Sequence, residues 1–169
     1  MNIETKDVFL RKFTDDDLPA MSRMYADEDV MKYIGLGGAV DENATRQMLS
    51  AFIRSYKIKG FGIWGCVDKL TGELIGHCGF NTLPDGNIEI AYLLDKPYWG
   101  RGIATSIALE TLKYGTENLG LEKIVALAYP QNIASIRVIE KIGLIYLGEK
   151  EYFGRKFSFF CNDHTSGKD

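Results

Sequence analysis

The chain has 169 residues, the length of one ordinary domain and long enough to bury a sizeable core. Lys and Arg number 20 against 23 Asp and Glu, a net charge of −3, which argues against a binder of nucleic-acid phosphates because that needs a positive field. Apolar residues at 46% and charged residues at 25% exclude global disorder.

Residues 8–13 read as a first strand. Thr14 followed by Asp15, Asp16 and Asp17 makes an acidic helix start, near which Pro19 is tolerated. Leu18, Met21, Met24 and Tyr25 then recur at helical spacing. Residues 35–38 form a glycine-rich loop. A second helix begins near Asp41 and carries Ala44, Met48, Leu49, Phe52, Ile53 and Tyr56 on one stripe. Residues 62–67 and 74–80 read as two strands joined by a hairpin loop. After the turn at 83–87, residues 88–94 form another strand. Beyond the Lys96-Pro97 break, a helix runs from Ile103 to about Asn118, followed by a strand at 124–128 and a short helix at 132–142. Residues 145–147 and 156–160 are the last strands. Hairpins call for antiparallel pairing, whereas 88–94 and 124–128, joined through a helix, call for a parallel pair. The sum is an α/β or α+β single domain over 1–161, a mixed sheet with helices packed on it, and a polar, frayed tail over 162–169.

The opening MNIETKDVFLRKF lacks an apolar signal-peptide core, and no stretch approaches the ~18 apolar residues of a membrane span. A cytoplasmic chain without membrane attachment is expected. Cys66, Cys78 and Cys161 are odd in number and scattered, which fits reduced thiols better than a disulfide framework. With His77 and His164 they offer no close ligand pair, so no metal site is expected. Adjacent strand residues point to opposite faces, so His77 and Cys78 do not form a nucleophilic pair.

The sharpest local feature is Tyr98-Trp99-Gly100-Arg101-Gly102-Ile103-Ala104-Thr105, between a strand and a helix. Glycines there permit unusual backbone angles and close approach of another group. The first amides of the helix lack intrahelical acceptors and carry partial positive charge, so a pyrophosphate is a natural guest. No Gly-Lys-Ser/Thr follows, so the turn is not a P-loop, and the dinucleotide fingerprint fits poorly with Thr105 in its third small place. Alone, the pattern also suits a plain packed turn.

It does not stand alone. Trp99-Gly100-Arg101-Gly102-Ile103-Ala104 resembles the acetyl-CoA pyrophosphate loop of the GNAT acetyltransferase superfamily. Downstream, Asn132-Ile133-Ala134-Ser135-Ile136-Arg137-Val138-Ile139-Glu140-Lys141-Ile142-Gly143-Leu144 resembles that superfamily's later motif. Glu89-Ile90-Ala91-Tyr92 and the early Leu10-Arg11 resemble the branch of ribosomal-protein-alanine N-acetyltransferases. The likeness covers roughly residues 8–160. It departs at Trp99, where Gln or Arg is common, at Leu144, where an aromatic is usual, and at Ile139, where a Tyr often serves as general acid.

The resemblance implies a mixed sheet, splayed like a V between strands 88–94 and 124–128, with helices on both faces and acetyl-CoA in the opening. The backbone of Tyr92, Leu93 and Leu94 would pair with the pantetheine amides. The loop of Trp99, Gly100, Arg101, Gly102, Ile103, Ala104 and Thr105 would hold the pyrophosphate through its amides. Asn132 and Ser135 would line the pantetheine and thiol end. The implied activity is transfer of acetyl from acetyl-CoA to a primary amine, a protein N-terminus or a small molecule, by direct attack. The alternative is a non-catalytic acyl-CoA-binding module, supported by Ile139. Family members often pair, so a homodimer is one expectation.

An attacking amine has a pKa of ~10 if lysine-like or ~8 if an α-amine, against ~8.5 for a leaving thiol like that of cysteine. Removing the amine proton is therefore the larger task, and a base matters more than an acid. Glu89, among apolar residues on a central strand, is the candidate base; an ion pair with a basic residue of a neighbouring strand is the structural alternative. Ser135 is the candidate thiol contact and acid, or a small helix residue packed beside the cofactor. A strand amide near Leu94 can serve the developing oxyanion. Tyr33, Trp64, Tyr92 and Tyr98 can wall an acceptor pocket or belong to the core. Asp27, Glu28 and Asp29 can attract a cationic amine or form an acidic solvated turn.

Overall fold

In the computed structural model, residues 2–162 are described. β1 (Val8–Arg11), β2 (Ile63–Asp68), β3 (Leu74–Thr82) and β4 (Ile88–Leu94) pair in chain order, each antiparallel to the next. β5 (Ile124–Ala128) joins β4 in parallel. β7 (Arg155–Cys161) and β6 (Ile145–Tyr152) continue the sheet antiparallel, giving the order β1-β2-β3-β4-β5-β7-β6.

A short 3-10 turn at Asp15–Asp17 leads into α1 (Leu18–Tyr25). The Asp17 carboxylate accepts the Thr14 N–H at 2.9 Å and both guanidinium nitrogens of Arg11, at 2.8 and 2.9 Å. α2 (Glu28–Met31) is a single turn, and α3 (Glu42–Lys59) starts where the Asp41 carboxylate accepts the Ala44 N–H at 2.8 Å. α4 (Ile103–Glu117) and α5 (Ile133–Lys141) complete the helices.

The apolar stripes decide which face each helix covers. Met21, Met24, Tyr25, Val30, Met31 and Leu49 of α1–α3 pack with Ile63, Val67 and Leu93 on one face. Ile107, Ala108 and Ile139 of α4 and α5 pack with Ile75, Cys78, Ile90 and Ala126 on the other. The expected α/β architecture with helices on both faces is thus present. Ile139 is 1% exposed and belongs to this core.

His77 and Cys78 diverge as strand alternation requires. The Tyr25 hydroxyl lies 2.7 Å from His77 Nδ1, and burial pushes the imidazole down to about 4. The Cys78 thiol donates to Thr111 Oγ1 instead, and burial pushes it up to about 12.

Beyond shifts of one or two residues at strand ends, three features differ from expectation. α2 was not anticipated. β6 runs five residues past Leu147, through the Gly148 kink at φ +106 and a register shift between Tyr146 and Glu149. Asn162, expected to open the frayed tail, is tied to the sheet. Its side-chain oxygen accepts the Ile124 N–H at 2.8 Å, its amide nitrogen donates to the Glu122 carbonyl at 3.2 Å, and its backbone N–H donates to the Ile124 carbonyl at 3.1 Å. The remaining tail and His164 lie outside the described residues.

Candidate active site

β4 and β5 pair only at Ile88 with Ile124 and Glu89 with Val125. Beyond that, residues of both strands line one cavity of about 1310 Å³. The Asp95 N–H, just past β4, donates to the Ile75 carbonyl of β3's end at 2.7 Å. Backbone direction alternates along a strand, so the peptide groups of Leu94, Tyr92 and Ile90 turn the other way, toward β5.

The loop leaving β4 supplies the anion-binding character. Gly100 and Gly102 sit at φ +73 and +74, the left-handed region that glycine enters without a Cβ penalty. Gly102 is the N-cap of α4. Among the described residues, the backbone N–H groups of residues 100–105 have no acceptor. Trp99, Gly100, Gly102, Ile103, Ala104 and Thr105 all line the cavity. An unpaired run of amides at the positive end of a 15-residue helix fits a diphosphate.

Two expected contributions from this loop change. Arg101 does not face the large cavity. Its guanidinium lies 5.4 Å from the centre of the Tyr98 ring, and it lines a separate cleft with Asp68 and Lys69. The cation–π contact with Tyr98 holds it there. The Trp99 indole N–H donates to the Leu94 carbonyl at 2.9 Å, so that oxygen is already engaged, and the Leu94 N–H is the backbone group left for a guest.

On β4, alternation separates the two candidate catalytic groups. Ile90, Tyr92 and Leu94 pack toward α4 and α5, whereas Ala91 and Leu93 pack toward α1–α3. Glu89 shares the second face. Ser135, in the first turn of α5, gives its backbone N–H to the Asn132 carboxamide oxygen at 3.3 Å. Its hydroxyl lies 2.9 Å from the Tyr92 hydroxyl, which also donates to the Ser135 carbonyl at 3.0 Å. Burial raises the Tyr92 phenol above its ordinary value, so it stays protonated. Tyr92 therefore does more than line the cavity: it fixes Ser135, a role that strand spacing alone did not reveal.

Glu89 forms no ion pair among the described residues. Burial pushes its carboxyl up to about 7, against a hydrogen bond with Asn81, its cross-strand neighbour, that pulls it down. The structural ion pair weighed above is absent, and a carboxylate poised near neutrality remains. Glu89, Tyr92, Leu93, Leu94, Asn132 and Ser135 all line the same cavity as the loop.

The acids near α2 are used structurally. Asp27 Oδ1 caps α2 by accepting the Asp29 N–H at 2.9 Å, Glu28 accepts the Ala39 N–H at 3.2 Å, and Asp29 pairs with Lys96. Tyr33 lines the cavity with Tyr98, while Trp64, 2% exposed, is core. Among the described residues no cluster of His, Cys, Asp or Glu is fit to hold a metal ion, and no helix is long and apolar enough to cross a membrane.

An unpaired amide run and a buried carboxylate that line one cavity with residues of β4 and β5 suit a diphosphate-bearing guest and a proton transfer beside it. Comparison with known proteins agrees. The family model for the acetyltransferase (GNAT) domain matches residues 7–145. The chain is 37% identical over 154 residues to the uncharacterized protein YkkB of Bacillus subtilis (strain 168), covering 86% of this chain and 88% of that one. It is 32% identical over 143 residues to the uncharacterized N-acetyltransferase YoaA of the same organism, covering 83% and 81%. The solved GNAT-family acetyltransferase from Bacillus anthracis superposes with a TM-score of 0.79 at 28% identity, over 95% of this chain and 96% of that one. The ribosomal-protein-S5-alanine acetyltransferase from Vibrio fischeri shares the fold at a TM-score of 0.80 and 17% identity, over 100% of both chains. The chain belongs to the GNAT family and is an N-acetyltransferase that uses acetyl-CoA.

Proposed function

We propose that this enzyme acetylates a primary amine by direct attack, with Glu89 as the base and Ser135, held by Tyr92, at the thiol end. The observation that carries the reading is that Glu89 and the unpaired amides of residues 100–105 open onto one cavity. Acetyl-CoA supplies the activated acetyl group. The amides of Gly100, Gly102, Ile103, Ala104 and Thr105 would hold its diphosphate, and the gap-facing backbone of Tyr92 and the Leu94 N–H would meet the pantetheine chain. Asn132 and Ser135 would line the sulfur end. The Arg101 side chain turns away from this cradle toward Tyr98, while its backbone N–H belongs to the same unpaired run.

Glu89 must accept a proton from an amine whose conjugate acid has a pKa of ~8 to ~10. The uphill transfer becomes favourable as the C–N bond forms and the nitrogen grows acidic. A base near 7 is half ionised at neutral pH, the condition in which general-base catalysis is efficient. Opposite the base, the Ser135 hydroxyl, backed by Tyr92, can give a proton toward the departing sulfur. The two groups lie on opposite faces of β4, so each can serve one side of the reacting carbonyl.

Thiol release from acetyl-CoA tests the reading, measured beside CoA affinity by calorimetry. Amine-dependent release is the expected result. Tight CoA binding with no release for any primary amine contradicts it.

A further inference from the structure

The cavity's walls and charges also select the acceptor. We propose that the acceptor is a small monoamine carried on an apolar, aromatic-sized body, and not a polyamine or a peptide N-terminus; this rests on the acetyl-transfer reading above.

Among the described residues, the carboxylates that line the large cavity are Asp29 and Glu89. Asp29 is neutralised by Lys96, which among the described residues leaves Glu89 as the single acid for a guest cation. Lys32, Lys59 and Lys96 line the same cavity. A polycation would bring several ammonium groups toward one carboxylate and a lysine-bearing rim. Each unpaired charge would lose hydration and meet like charge. A single ammonium beside Glu89 meets neither cost.

Ser55, His77, Asn81 and Thr82 add neutral polar groups, and aromatic rings supply much of the rest of the acceptor face. Phe52 projects from α3, and Tyr33, Tyr129, Phe153 and Phe157 complete the wall. The Tyr129 and Phe157 ring centres lie 4.7 Å apart, and those of Tyr33 and Tyr129 lie 6.1 Å apart. Such walls with one convergent charged group suit a compact apolar amine.

The segment 29–35 closes this half of the site. Lys96, just past β4, holds it at Asp29, and the Tyr129 hydroxyl, just past β5, donates to the Gly35 carbonyl at 2.7 Å. The segment therefore spans from the end of β4 to the end of β5. A peptide entering with its chain behind it would have to displace one of these ties, whereas a small amine fits beneath them.

The test compares kcat/KM for thiol release with 2-phenylethylamine, spermine and an alanine-initiated hexapeptide, with CoA affinity measured on the same protein. The expected result is a preference for 2-phenylethylamine of about tenfold or more, the discrimination that about 1.4 kcal/mol provides. Replacing both exposed lysines, Lys32→Glu with Lys59→Glu, should shift the ratio of spermine to 2-phenylethylamine upward by about tenfold while CoA affinity holds. Spermine or the peptide matching or exceeding 2-phenylethylamine, or an unmoved ratio in the lysine variant, overturns the acceptor class and leaves acetyl transfer standing. Absence of release from every amine, in protein that binds CoA, overturns both.

Discussion

Glu89 and Tyr92 are three positions apart on one strand, and the odd spacing puts them on opposite faces with different chemistry to perform. Glu89 accepts a proton only when ionised. Because burial holds its pKa at about 7, kcat/KM should rise as pH increases through 7 and level off above. Glu89→Gln should lose about 10²-fold or more at pH 8 and abolish that limb, with CoA affinity unchanged. A variant that keeps both the rate and the limb would show that the carboxylate does not take the proton. In the proposed function Tyr92 acts through Ser135, so Tyr92→Phe should lower kcat by about tenfold and leave KM for acetyl-CoA within about twofold, since it removes two hydrogen bonds worth ~1 kcal/mol each and no contact surface. A rise in KM with kcat intact would instead make Tyr92 part of the carrier's binding wall.

At the scale of elements, most of the architecture was legible where pattern and length agreed. β4 and β5 are short apolar runs between clear breaks, and their bounds match expectation to the residue. The glycine turn announced α4 because Gly100 and Gly102 occupy a backbone region closed to most side chains. Failures have local causes. α2 is one turn made by the Asp27 cap, too short to show a period. The second half of β6 carries Glu149, Lys150 and Glu151 on an exposed edge after a glycine, so charge that protects an edge strand masked it. The glycine loop was legible as a local feature, but the side-chain contacts around it were not. Arg101 was expected in the loop through its amide, and where its side chain goes had no sequence signal: the guanidinium lies against the Tyr98 ring. The tie between Tyr92 and Ser135 joins residues 43 apart in sequence and has no local signature. Asn162 read as tail for the same reason. It anchors the start of β5 beside the last paired rung with β4, so Asn162→Ala should cost about 1–3 kcal/mol in a denaturant melt. A loss below ~0.3 kcal/mol would return it to the tail.

The molecule as a whole balances these groups against pH. Glu89 has a folded pKa above its unfolded value, so the fold binds the extra proton and stability falls as pH rises from about 4.5 through about 7. The ceiling for that loss is about 3 kcal/mol. Asp17 behaves oppositely. Burial alone would raise it, but hydrogen bonds from Arg11 and the Thr14 N–H outweigh burial and hold it below the usual carboxylate range. Its contribution is present above the unfolded pKa and is lost as pH falls through the folded one. Thermal melts should therefore peak in mildly acidic buffer, and Glu89→Gln should flatten the decline between pH 5 and 8. A decline of equal size in that variant would assign it to another group.

Residues from both faces of β4 line one cavity with the loop at its end, and the proposed function has that loop hold the carrier's diphosphate. Amide hydrogen exchange at residues 100–105, with CoA and with pantetheine, tests that most directly. Among the described residues these N–H groups have no acceptor, so they should exchange quickly in free protein. Saturating CoA should protect them, and pantetheine, which lacks the diphosphate, should not. Unchanged exchange at these amides in protein saturated with CoA would contradict the account.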